Sequence, residues 1–509
     1  MSTTENKILS LEALKKKTQE LKSQGKKVVL SHGVFDLVHN GHISHLKQAR
    51  NEGDVLVVTL TADEYVNLGP GHPIFSEELR SETLAALECV DYVTVNNSSI
   101  AENVIKAIQP CSFVKGWEYE SIFEDPSGDI AKEKQALDSY GGELKFTFNS
   151  NLDSPHLLNE HLEIFSSETR EFLRSFREAN SYIEIISKFQ KFDHLKVLVV
   201  GDAIIDEYHY VTPLGQAGKG FHLAVKYDSE ERFAGGSLAV ANHIAGFAKE
   251  VTLVAGLGKN DGYEDFIDGA LKQRVNPNFF FSDQSSTIVK RRYVDFDWNK
   301  LFEVYFSSDD TPAENSDKEV CSWLEQHLSD YDLVVVPDFG NGFLTQNMVN
   351  ILCDKAKFLA VNTQVNSGNR GYHVINRYTR ADFVSLNEPE IRLATHSRHD
   401  SLEVIMKKVA KNLQAKWVAV TRGTKGAVIL DQTRDKFFKV PSLSTKVVDR
   451  IGAGDTFLSL ASLCLKDGLS SEIAAFLGSA AAALSVGTVC NRDSIESVKL
   501  GNYITSLLK

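Results

Sequence analysis

What the chain lacks narrows its class. Its 509 residues hold only six cysteines, Cys89, Cys111, Cys321, Cys353, Cys464 and Cys490, none of them at CxxC spacing. That argues against a metal knuckle or a dithiol redox motif, and scattered single thiols suit a reducing cytoplasm. No apolar run reaches the roughly 18–20 residues of a membrane span. The run "AAFLGSAAAALSVG" (Ala474 to Gly487) is short and rich in small residues, and predicts a closely packed buried helix. The opening "MSTTENKILSLEALKKKTQELKSQGKK" has no long apolar core, so no secretory leader is expected. An excess of basic residues is also missing, since the net charge is −13. A coat for nucleic acid or for an anionic membrane needs basic surface, so neither is expected as a partner. Small phosphorylated ligands stay open, because a few local donors can hold them. Repeats and low-complexity segments are absent too.

What is present is an ordinary globular composition, 42% hydrophobic and 24% charged. At roughly 100–200 residues per domain the length predicts about two to four domains. Residues 10–24 have helical periodicity with a serine N-cap and Gly25 as a stop. Apolar strand-like runs then alternate with helical ones: "KVVLSH", "DVLVVTL", "VDYVTV", "CSFVKG" and "ELKFTF". Such alternation implies a parallel sheet with helices on both faces. A polar helical stretch follows over 156–192. A second series starts at "LKVLVVGD" and runs through "VTLVAGLG", "YDLVVVPDFG", "KFLAVN", "ADFVSLN", "WVAVTRG" and "AVILD". The runs "YHYVTP", "LAVKYD" and "TIVKRRYVDF…LFEVYF" alternate and carry aromatics, which predicts a small antiparallel sheet beside the main one. The expected architecture is α/β, two doubly wound parallel-sheet domains. Its parts are an N-terminal helix (1–24), a first domain (25–155), a helical linker (156–192) and a second domain (193–509).

Two constellations carry chemistry. In "GVFDLVHNGH" (Gly33 to His42) a glycine-bearing turn takes a strand into a helix, leaving backbone N–H groups at a positive helix end, a ready anion site. His39 and His42 there can donate to a nucleotide α-phosphate as a phosphate oxygen attacks it and pyrophosphate leaves. In "VVDRIGAGDTF" (Val447 to Phe457), Gly452, Ala453 and Gly454 precede a helix with Asp455 in its first turn. Small residues let backbone N–H groups approach a phosphate, and a carboxylate beside them can accept the proton of an attacking hydroxyl. Phosphoryl transfer from ATP to an alcohol needs this pairing. "SLNEPEIR" places Asn387 and Glu390 after a buried strand, where amide and carboxylate can organise Mg²⁺ and its waters.

"GVFDLVHNGHISHLKQA" resembles the signature of cytidylyltransferase-like nucleotidylyltransferases. "FSEELRSETLAALECVDYV" and "FVKGWEY" resemble the matching segments of bifunctional heptose kinase/adenylyltransferases. The resemblance implies that Gly33, Phe35, His39, His42, Arg80, Lys115 and Gly116 line a nucleotide site. Two segments depart from it. The loop "NLGPGHPIF", with Leu68 and His72, has no lysine or arginine, and "NLDSPHLLN" keeps only Ser154 of a hydroxyl-rich motif. Each lost charge-assisted bond to phosphate is worth roughly 1.5–3 kcal/mol.

Over about 195–509, "RFAGGSLAVANHIAG", "SLNEPEIR", "TRGTKGAVIL" and "GAGD" together resemble the ribokinase/PfkB sugar kinases. That likeness implies Asp455 as base, Gly452 to Gly454 as anion hole, and Asn387 and Glu390 near Mg²⁺. It implies Thr421, Gly423 and Gly426 on the nucleotide, and Asp202, Asp206, Gly235, Gly236 and Asn242 toward the sugar. Asp449 matches a position that helps bind a monovalent cation, K⁺ being the candidate. The antiparallel strands match a lid that also forms a homodimer interface. Lys290 and Arg292 in "TIVKRR", or Lys219 in the longer lid loop, are candidates to meet a phosphate already on the sugar. The expected substrates are a sugar or sugar phosphate, ATP with Mg²⁺, and a second nucleotide, ATP or CTP. One domain would phosphorylate the sugar and the other activate the sugar 1-phosphate, for surface polysaccharide. A sugar kinase with a non-catalytic N-terminal nucleotide-binding module stays open as the alternative.

Overall fold

A computed structural model describes residues 4–66, 72–116, 129–147, 165–259, 261–283, 285–307, 314–369 and 371–508. Leu68 and the "NLDSPHLLN" segment with Ser154 lie outside the described residues. The chain divides into two compact units, Met1–Ser166 with Gly501–Lys509, and Ser167–Leu500.

The first unit holds β1 (Val28–Gly33), β2 (Val55–Thr61), β3 (Tyr92–Asn96), β4 (Ser112–Lys115) and β5 (Glu143–Phe146). They form one parallel sheet in the order β3-β2-β1-β4-β5. Every residue of β2 is buried, as a strand covered on both faces requires. Successive residues of β1 serve opposite faces. Val29 packs with Leu46, Leu56 and Leu84, while Val28 and Leu30 pack with Leu14, Ile105 and Phe113. The helix Leu11–Ser23 starts where the Ser10 hydroxyl accepts from the Ala13 N–H (3.3 Å), and Gly25 follows its end at φ +77°. From β1 the chain goes to β2 on one side and later returns to β4 on the other. This reversal of direction opens a crevice beyond the C-terminal ends of β1 and β4.

The second unit continues with β6 (Lys196–Val200), β7 (Ala203–Gln216), β8 (Leu223–Gly236), β9 (Glu250–Gly258), β10 (Val275–Ser282), β11 (Ile288–Val294), β12 (Lys300–Phe306), β13 (Leu333–Asp338), β14 (Leu359–Thr363), β15 (Phe383–Asn387), β16 (Trp417–Thr421), β17 (Ala427–Asp431) and β18 (Lys436–Val440). Nine of these form a sheet in the order β10-β9-β6-β13-β14-β15-β16-β17-β18, parallel up to β16 and antiparallel beyond it. The other four form a separate sheet, β12-β11-β7-β8. It is mixed rather than purely antiparallel, because β11 re-enters beside β7 in the same direction. The sequence also hid β10, whose "VNPNFFFS" opens on turn-forming residues. Pro277 is tolerated there because β10 is an edge strand.

The stretch expected as a linker is in part built into the second unit. Helices Ser167–Ala179 and Tyr182–Phe189 lie there, and Phe176 stacks on Phe476 with ring centroids 4.3 Å apart. Phe476 belongs to the helix Ser471–Ser485, which is buried along most of its length. A Cβ on its Gly478 would stand 2.9 Å from the Phe457 ring, so the small residues set how closely this helix packs. Among the described residues no helix is long and apolar enough to cross a membrane.

Candidate active sites

In the first unit the crevice gathers the ends of β1 and β4. Phe35 takes φ +51° in the turn after β1, with its ring over Gly33, where a Cβ would meet it at 3.2 Å. His39 is the N-cap of the helix Asn40–Arg50, and its Nδ1 accepts from the Gly41 N–H (3.0 Å). That bond makes Nε2 the protonated nitrogen of a neutral ring, a donor set at the helix N-terminus. His42 packs beside it, ring centroids 4.1 Å apart, and meets Phe35 edge-on at 5.4 Å. Lys115 ends β4, across the crevice mouth from Gly33 at the end of β1, with Gly116 next to it.

The charged side chains around this site have protein partners. Lys115 pairs with buried Glu133 at 2.5 Å, whose other oxygen accepts from the Ala101 N–H. Arg80, expected on the nucleotide, is instead fully buried as a brace. It donates to the carbonyls of Phe75, Val34 and Thr61 and to Asp63. His72 donates to Asp36 at 2.6 Å, and the other Asp36 oxygen accepts from Ile74 and Phe75 N–H. Sequence reasoning missed two further histidines. His32 bonds Thr59 (2.9 Å), and His45 bridges Ser31 (2.8 Å) and Thr147 (2.9 Å). Burial pushes both down to about 4, so they are neutral polar pins of the sheet.

In the second unit a cavity of about 420 Å³ opens beyond the C-terminal ends of β14, β15 and β16. Its lining includes Asp206, Gly236, Lys290 and Arg292 as well as Thr421, Gly423 and Gly426. Asn387, Glu390, Gly452, Ala453, Gly454 and Asp455 line it too. Gly452 is the N-cap of the helix Ala453–Lys466 at φ +84°. A Cβ there would fall 2.0 Å from the Asn491 amide oxygen, so the turn requires glycine.

Asp455 is buried, and burial together with the nearby Asp206 carboxylate pushes it up to about 7, against the pull of Lys290. Burial likewise raises Glu390 to about 7. Burial lowers Lys290, which sits among Asp206, Asp202 and Asp455 and over the rings of Tyr305 and Phe339. Arg292 donates to Asp206. Asn387 and Glu390 form a capping box on the helix Glu388–Thr395, each side chain accepting the other's backbone N–H at 2.8 Å. The remaining Glu390 contact, 3.2 Å from the Val365 N–H, leaves carboxylate lone pairs over the cavity. Among the described residues no group of three His, Cys, Asp or Glu side chains could cage a metal. Mg²⁺ that arrives on nucleotide phosphates needs no such cage of protein ligands.

Four expected residues lie outside the cavity lining. Gly235 has no room for a Cβ, which would lie 2.1 Å from an Asp206 oxygen. Asp202 accepts from the Asn341 and Phe343 N–H groups, both at 3.3 Å. Asn242 is engaged with backbone, donating to Ala270 O (2.9 Å) and accepting from Lys272 N–H (3.0 Å). Asp449 is held by Lys300 and Tyr208. Lys219 is not in the lining either, whereas the unanticipated Asn362, Gln364 and Asn491 are.

Comparison with known proteins agrees with this division. Residues 30–141 match the cytidylyltransferase-like family and residues 194–497 the pfkB family of carbohydrate kinases. The "Bifunctional protein HldE" of Geobacter metallireducens is 33% identical over 170 residues, which cover 33% of each chain. The protein of that name from Histophilus somni is 28% identical over 318 residues, 62% of this chain and 64% of the relative. The chain thus spans between about a third and two thirds of the length of these curated relatives. Among solved structures, a ribokinase from Thermotoga maritima aligns at TM-score 0.49 with 20% identity, over 61% of this chain and 99% of that one. With 304 consecutive residues inside the second match, the chain belongs to the pfkB family of carbohydrate kinases and carries a cytidylyltransferase-like domain before it in sequence.

Proposed function

We propose that the chain is a bifunctional enzyme that phosphorylates a sugar or sugar phosphate with ATP and transfers a nucleotidyl group to a sugar 1-phosphate. The product is a nucleotide-activated sugar of the kind used for surface polysaccharide. The observation that carries the reading is Asp455, a buried carboxylate held near 7 at the N-terminus of a helix, facing a cavity that also holds Lys290 and Arg292. With Mg·ATP bound, the Asp455 carboxylate accepts the proton of the sugar hydroxyl as the hydroxyl oxygen attacks the γ-phosphorus, and the bond to the β-phosphate oxygen breaks to release ADP. The N–H groups of Gly452 to Gly454 meet the phosphoryl oxygens, and Lys290 neutralises charge beside them. The anomeric hydroxyl is the favoured acceptor, because its product suits the second half. There an oxygen of the sugar 1-phosphate attacks the α-phosphorus of a nucleoside triphosphate and pyrophosphate leaves. His39 Nε2–H and His42 supply donors to the α-phosphate.

A second reading, a kinase with a non-catalytic N-terminal module, draws support from one feature. Lys115, Arg80 and His72 are each bonded within the protein. The test is ³¹P NMR of the full chain with Mg²⁺, ATP, CTP and a panel of hexose and heptose phosphates, beside Asp455→Asn and His39→Ala variants. ADP with a new sugar phosphate, lost in Asp455→Asn, is expected. Pyrophosphate with a nucleoside diphosphate sugar, lost in His39→Ala, is expected as well. ADP without pyrophosphate on any supplied sugar 1-phosphate would select the second reading.

A further inference from the structure

We propose that Lys300 acts as a built-in monovalent cation on Asp449, so that this kinase needs no potassium from solution. The inference rests on the kinase reading of the second unit. By resemblance Asp449 is a place for a loose monovalent ion, and its surroundings do not fit one. One carboxylate oxygen accepts from Lys300 Nζ (2.7 Å) and the Ile451 N–H (3.2 Å). The other accepts from the Tyr208 hydroxyl (2.5 Å) and the Cys490 N–H (3.2 Å). A carboxylate offers about four lone-pair sites. All of them are taken, and an added ion would stand against an ammonium group already in contact.

The ammonium is placed as a ligand would be. It also lies 5.8 Å from the centre of the Tyr208 ring, within range of a cation–π contact. Burial opposes charge on Asp449, and the Lys300 and Tyr208 bonds together outweigh it and hold the carboxylate below its usual range. Lys300 opens β12, Tyr208 lies on β7, and Asp449 stands three residues before Gly452. The same ion pair therefore ties the four-stranded sheet to the loop that presents the phosphate-binding turn. An ion taken from solution orders such a loop only to the extent that its concentration fills the site. A tethered ammonium is always at hand, and its order is independent of the salt.

The test compares the full chain in potassium chloride and in tetramethylammonium chloride at equal ionic strength. Melting temperature and Mg·ATP affinity are measured for the wild type, Lys300→Met and Lys300→Arg. The wild type is expected to give the same values in both salts, and to give no bound signal in ²⁰⁵Tl NMR. Lys300→Met is expected to bind Mg·ATP several-fold more weakly in tetramethylammonium and to recover in potassium. Lys300→Arg, which keeps the charge, is expected to stay indifferent to the salt. A wild type that gains affinity or melting temperature saturably with potassium, or that binds thallium, overturns the proposal. So does a folded Lys300→Met variant with no response to potassium. The melting and thallium comparisons need neither nucleotide nor variant. They decide the point even where Mg·ATP fails to bind the wild type in either salt, a failure that sinks the kinase reading instead.

Discussion

The two units hold their charge differently. In the first, the basic side chains near the strand-to-helix turn are bonded within the protein itself: Lys115 to Glu133, Arg80 to three carbonyls and Asp63, His72 to Asp36. Among the described residues, a pair of imidazoles and a helix N-terminus stand at that turn. In the second, Lys290 and Arg292 line the cavity together with Asp206, Glu390 and Asp455. Burial, with the repulsion of Asp206 and Glu390 and against the pull of Lys290, brings Asp455 to about 7. A parallel sheet offers a crevice at its C-terminal edge in both units, but among the described residues only the second is seen to keep opposing charges in it before any ligand arrives. The first has largely settled its electrostatics within the fold. A ligand that called on Lys115 there would have to compete with Glu133.

Asp455→Asn is the sharpest way to break this comparison. Loss of a general base costs typically about 10²–10⁴-fold in rate, and nucleotidyl transfer should be untouched. In the wild type, kinase kcat/KM should rise with pH around a midpoint near 7, because only the carboxylate form accepts a proton. Stability moves the opposite way. The folded value lies above the ordinary one, so this group's contribution is complete in acid and is lost as pH rises through about 7. Asp455→Asn should therefore melt higher than the wild type at pH 8 and show a smaller gain at pH 5, since the effect builds up between about 4 and about 7. A flat kinase profile between those pH values would remove Asp455 from the role of base.

His39→Ala comes next. Removing one donor to a developing phosphate charge costs about 10²–10³-fold in other enzymes, so pyrophosphate release should fall by that much with the kinase rate unchanged. Glu133→Gln then sharpens the contrast. It keeps an acceptor for the Ala101 N–H and releases Lys115 from its ion pair. Calorimetry should find pyrophosphate bound several-fold more tightly, at the expense of a lower melting temperature, since breaking a buried pair is destabilising. Unchanged binding would mean that the Lys115–Glu133 pair is not what restrains the first site.

Much of this was legible in the sequence, for physical reasons. Continuous apolar runs such as "VLVVTL" mark strands covered on both faces, and strand-to-glycine-to-helix turns mark where backbone donors emerge. The glycine turns at the two candidate sites stood out by those signals, and their roles came from the family resemblance. Pairings between distant residues were not legible. Nothing near Asp449 announces Lys300, 149 positions away, and nothing in "SETLAAL" says that Arg80 points inward to three carbonyls. Local spacing shows which groups a turn can offer. Which of them the fold spends on itself depends on contacts between segments far apart in the chain.

Asn242 is the smallest test of that last point. By resemblance it belongs with the sugar. In the structure its amide joins the helix Ser237–Ala245 to the chain leaving the helix Glu264–Ala270, through Ala270 O and Lys272 N–H. Both bonds are to backbone, and Asn242 itself is buried. Asn242→Ala leaves a buried donor and acceptor without partners, which costs roughly 1–3 kcal/mol. For a unit of this size the melting temperature should fall by several degrees, while KM for whichever sugar the ³¹P panel identifies stays within about twofold. A sugar-contacting asparagine would do the reverse, raising KM by tenfold or more with little change in melting. Because the two readouts move in opposite directions for the two roles, one variant decides between them.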